Sequence, residues 1–79
     1  MNATAANGNR RELAGQYATV SGMSGYFIIV DVTMTDIHVK HINVDRHHGV
    51  LRITPDRTAQ VLAFPRVDVT LVHPSNVTI

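Results

Sequence analysis

The chain has 79 residues, 44% of them hydrophobic and 16% charged, with a formal charge of +1 and no cysteine. That is room for one domain with a thin core, burying only about 60% of its unfolded surface. It excludes disulfide staples and thiolate metal sites, and a charge so near zero gives no case for a nucleic-acid partner by itself.

Residues 1–8 are small and polar and read as a flexible arm. Asn9 and Glu12 have the spacing of a capping box, so one short helical turn is expected before Gly15. This gives an arm over residues 1–15, a domain over 16–74 and a tail over 75–79. Residues 16–20 form a first short strand, followed by a loop holding Gly22 and Gly25.

Residues 26–34 are the most apolar and β-branched run of the chain. Tyr26, Ile28, Val30, Val32 and Met34 make one apolar set, expected to be buried. The other set, Phe27, Ile29, Asp31, Thr33 and Thr35, starts apolar and ends polar. A strand buried on both sides at its start and emerging into solvent suits a small curved sheet or barrel.

Residues 37–44 form a third strand. Ile37 and Val39 alternate, then Ile42 and Val44 take over, which predicts a bulge near residues 40–41. Residues 45–49 form a hairpin loop ending in Gly49, and residues 50–53 the return strand. A turn over 54–57 has Pro55 at its second position. Residues 58–64 and 66–72 are further strands, separated by Pro65. Six short strands with turn signals every ~8–12 residues indicate an all-β barrel or sandwich.

Residues 18–32, Ala-Thr-Val-Ser-Gly-Met-Ser-Gly-Tyr-Phe-Ile-Ile-Val-Asp-Val, resemble the opening of small Src-homology-3-like barrels of the KOW type. Residues 64–69, Phe-Pro-Arg-Val-Asp-Val, are similar to the turn before the last strand of such barrels. The resemblance implies an all-β small Src-homology-3-like barrel of five to six strands. Met23 and Ser24 stand where nucleic-acid-binding members usually carry basic residues.

The candidate binding residues are His38, Lys40, His41, Arg46, His47, His48 and Arg52, which share one predicted hairpin. Their chemistry admits three uses. Imidazoles suit Zn²⁺, Ni²⁺ or Cu²⁺, with His41 and His47 or His48 meeting across the hairpin and Asp45 adding a carboxylate. Lys40, Arg46 and Arg52 would contact phosphates, although Asp31, Asp36 and Asp45 lie nearby and only four aromatics exist for stacking. Histidines charging between about pH 5 and 7 would make a pH-sensitive interface. Against all three stands a solvated polar hairpin, and no resident metal or cofactor is expected.

Catalytic signatures do not emerge. There is no Gly-x-Ser-x-Gly elbow, Glu12 is the single Glu, and residues 22–25 lack the Lys-Ser/Thr ending of a phosphate loop. Asn2-Ala-Thr4 and Asn76-Val-Thr78 match the glycosylation pattern, but the opening residues have no apolar signal segment. The expectation is a soluble, non-enzymatic interaction or assembly module, cytoplasmic or virion-associated, such as a small structural component of a virion. Its partner would be another protein or a second copy, without a membrane or small-molecule substrate. The arm and tail would add onto a neighbour's sheet edge. The alternative is a nucleic-acid-associated barrel binding through residues 40–52.

Overall fold

A computed structural model describes residues 13–77; the expected capping box and residues 1–12 of the expected arm lie outside the described residues, as do the last two residues of the expected tail. The fold is all-β. Six strands, β1 (Tyr17–Val20), β2 (Tyr26–Val32), β3 (Asp36–His47), β4 (Val50–Pro55), β5 (Leu62–Pro65) and β6 (Val69–Val72), form one antiparallel sheet. The order is β4-β3-β2-β1-β6, with β5 paired to β3. Among the described residues the sheet stays open, with no pairing between β6 and β4 or β5, so the expected barrel does not close.

The core is Ala18, Val20, Phe27, Ile29, Val32, Ile37 and Val39, with Leu13, Phe64 and Val69 packed against it. On β2 and just after it the expected burial holds at Val32 and fails at Val30 and Met34. Phe27 and Ile29 face the core, whereas Val30 is exposed and Met34 is 92% exposed. The cause is a bulge. Ile29 pairs with Val39 and Asp31 with His38, which leaves Val30 as the extra residue. The added residue shifts the alternation by one, so Ile29 and Val32 both reach the core. Asp31 Oδ1 accepts the Val32 N–H at 2.9 Å beside it.

The irregularity therefore lies in β2, and β3 keeps strict alternation. What changes along β3 is which face is covered. Ile37 and Val39 point into the core, while Ile42, also buried, points to the opposite side. β3 has β2 on one edge, and β5 and then β4 in tandem on the other. The last β2 pair is Tyr26 with Ile42. Beyond it, residues 43–47 and 50–54 pair, among the described residues, only with each other. They form a two-stranded ribbon on a molecule measuring 47 × 21 × 21 Å.

The ribbon ends in a two-residue turn, shorter than the loop expected over 45–49. His47 pairs with Val50, and His48 (φ 55°) and Gly49 (φ 80°) are both left-handed. Two positive φ values make the type I′ turn that matches strand twist. Histidine is among the residues enriched in that conformation.

The turn expected over 54–57 moves downstream. Pro55 ends β4, and the Ala59 N–H donates to the Asp56 carbonyl at 3.1 Å. Residues 58–61 are loop rather than strand, and residues 66–68 form a 3₁₀ turn. Arg66 Nη2 donates to the Thr33 carbonyl at 2.8 Å, and the Ser21 N–H to the Asp68 carbonyl at 2.9 Å, holding this turn against two loops. A second 3₁₀ turn, Pro74–Asn76, leads into the expected tail, whose Val77 is buried at 2% exposure rather than presented to a neighbour.

Candidate functional site

The predicted site residues fall into two groups rather than one. His38, Lys40 and His41 lie on β3 within the body of the sheet. Arg46, His47, His48 and Arg52 lie toward the ribbon tip. Lys40 and Arg46 are six residue steps apart along the strand, a span of roughly 20 Å.

At the tip, Arg52 Nε sits 3.8 Å from Asp45 Oδ1, across the register pair that joins them. Arg46 Nη1 donates weakly to the Gly49 carbonyl at 3.5 Å. The His47 and His48 rings meet edge to face at 4.2 Å. Asp45 thus offsets part of the basic charge expected to meet phosphate. Both ion-pair partners are exposed, where such a pair contributes little.

In the body, His41 packs its ring edge-on against Phe27, with centroids 5.6 Å apart. It lies over Gly25, where a Cβ would come 2.9 Å from His41 Nε2. Gly25 also has φ +86°, so both its backbone and its neighbour require glycine. His41 Nδ1 is 3.2 Å from Asp56 Oδ2. The other Asp56 oxygen accepts the Thr58 hydroxyl at 2.6 Å and the Thr58 N–H at 3.0 Å. These bonds, the Thr58 hydroxyl foremost, hold the Asp56 carboxyl below its ordinary value of 3.8.

His41 therefore turns to Asp56 and away from the tip histidines, so the pairing with His47 or His48 expected for a metal does not form. Among the described residues, no group of three or more His, Asp or Glu side chains is arranged to hold a metal ion.

The face of the sheet opposite the core carries a groove of about 250 Å³. Register builds it. Tyr17 pairs with Ile28 and Ile28 with Lys40, placing the three side by side. Ile42 and Pro55 form the next pair, and Ile53 follows along β4. His41 and Asp56 stand at its rim. Of these lining residues only Lys40 and His41 were expected in a site. Tyr17 and Ile28 read in sequence as parts of half-buried strands, and Asp56 as a turn residue. The signal for Asp56 was the Asp-x-Thr spacing, which predicts the Asx turn but not the histidine it meets. Comparison of the chain with protein-family models, with curated proteins and with solved structures gives no match.

Proposed function

We propose that this chain is a non-catalytic assembly module, a small structural component of a larger complex such as a virion, and that it docks through the ribbon of β3 and β4. The observation that carries this reading is that, among the described residues, 43–47 and 50–54 pair only with each other. A two-stranded ribbon is marginal in water by itself. Its outer edges offer unpaired backbone groups to an incoming strand. Val44, Leu51 and Ile53 are half-covered on one face, and Val50 is 64% exposed at the tip. A partner that added a strand would complete both the hydrogen bonding and the burial.

At the level of fold, we read the chain as an open relative of Src-homology-3-like barrels. The strand order and the 3₁₀ turn before a last strand that returns to β1 support this. Such a fold sets no function by itself. The nucleic-acid alternative through residues 40–52 has less behind it, because Lys40 is remote from the tip and Asp45 accompanies Arg52.

The test is solution mass by light scattering at low and high salt, with and without a DNA duplex. The intact chain is compared with a variant in which an Asn-Gly turn replaces residues 44–53. The expected result is a salt-independent oligomer that ignores DNA and is lost in the shortened variant. A monomer that joins DNA at low salt favours the alternative. A monomer at millimolar concentration whose ribbon amides resist exchange as well as those of the body overturns the proposal, since such a ribbon needs no partner.

A further inference from the structure

At the ribbon tip Arg52 has Asp45 beside it, whereas Lys40, in the groove at the root of the ribbon, has no carboxylate partner among the described residues. Lys40 is half-buried between apolar walls and makes no ion pair or hydrogen bond among the described residues. The carboxylate lining the same groove, Asp56, is already engaged by His41 and Thr58. The Lys40 stem lies along apolar surface, which leaves its ammonium at the groove for an anion arriving from outside. The walls, Tyr17, Ile28, Ile42, Ile53 and Pro55, suit an apolar side chain. At about 250 Å³ the groove lies below the roughly 300–1,000 Å³ usual for small-molecule pockets. It fits one or two side chains rather than a cofactor.

We propose that this groove binds a segment of a partner protein in which an apolar side chain stands next to a carboxylate. The side chain lies between Tyr17, Ile28 and Ile53, and the carboxylate meets Lys40 Nζ. This rests on the reading of the chain as an interaction module and names the chemistry of its partner. It does not depend on the ribbon edges.

The experiment is selection of random short peptides, displayed on phage, against the immobilised full chain. Enriched peptides are expected to share an apolar residue beside Asp or Glu. In solution they shift the amide resonances of Tyr17, Ile28, Lys40 and Ile53 and leave those of Arg46 and Val50 unmoved. Lys40→Gln weakens binding about tenfold, the loss of one charge-assisted hydrogen bond, and Lys40→Arg restores most of it. Replacing the acid of the selected peptide by its amide gives the same loss without touching the fold. No enrichment, enriched peptides without an acid, or affinity unchanged by Lys40→Gln and by the amide peptide overturns the proposal. The two readings fail separately. Peptide binding by a chain that does not assemble through its ribbon leaves the groove standing, and ribbon-dependent assembly without peptide binding leaves the ribbon standing.

Discussion

The two halves of β3 have different surroundings. Its first half lies between β2 and β5 and buries Ile37 and Val39 in the core. Its second half has β4 on one edge and, among the described residues, no strand on the other. Both halves alternate regularly and both carry apolar residues. In the first half those residues complete a packed interior, while in the second, Val44 reaches only half-burial. The contrast separates what holds the domain together from what is left for a neighbour. The body packs around its own core, whereas the ribbon offers surface that the described residues do not cover.

The sharpest way to break this comparison is to cut both halves and weigh the results. Phe27 is 1% exposed at the centre of the core. Phe27→Ala is expected to cost about 3–5 kcal/mol in urea unfolding, enough to bring a domain of this size near its unfolding limit. Ile53→Ala in the half-buried ribbon should cost clearly less. Equal costs would mean that the ribbon belongs to the core. Gly25→Ala comes next, at about 1–3 kcal/mol, because a side chain must adopt the left-handed backbone. Adding His41→Ala should recover the part due to the 2.9 Å approach and leave the backbone part. Full recovery would show that φ contributes nothing. Val50→Ser, at the exposed tip, should change unfolding by no more than about 0.5 kcal/mol while lowering self-association in sedimentation. A stability loss comparable to Gly25→Ala would place the tip within the folded core.

What could be read from the chain follows the same division. All-β architecture was legible because residues 26–34 and 37–44 alternate and glycine and proline punctuate them. The exposure of Val30 was not, because the bulge there shifts the alternation by one and nothing in Ile-Ile-Val-Asp-Val marks which residue is extra. The candidate binding residues do share one hairpin, β3 with β4, but they do not form one cluster on it. Sequence proximity suggested one cluster, whereas an extended strand carries Lys40 and Arg46 apart. The groove was invisible for the opposite reason. Tyr17, Ile28, Lys40 and Ile53 are far apart in the chain and meet only through strand register, which one sequence does not reveal.

The smallest effect expected concerns the joint between the two regions. Asp56 begins the loop after β4, where the ribbon's return strand re-enters the body, and it contacts His41 beside the core. Its carboxyl is held below 3.8 by the Thr58 hydroxyl, then the Thr58 N–H, then His41. A carboxylate whose folded pKa is lowered stabilises the fold fully above its unfolded value, and that contribution disappears as pH falls through the folded value. The acid limb of this joint therefore lies below pH 3.8, and raising the pH from there into the neutral range adds nothing from Asp56. The Thr58 amide resonance, followed from neutral solution into acid, should move with a midpoint below 3.8, and Asp56→Asn should abolish the movement. The core amides of Phe27 and Val39 should be indifferent over the same range, because the hydrogen bonds of the Asp56 carboxylate tie down the loop and not the core. A Thr58 midpoint at or above 3.8 would mean that the hydroxyl and imidazole bonds do not hold in solution. The ribbon would then leave the body without an anchor on its return strand.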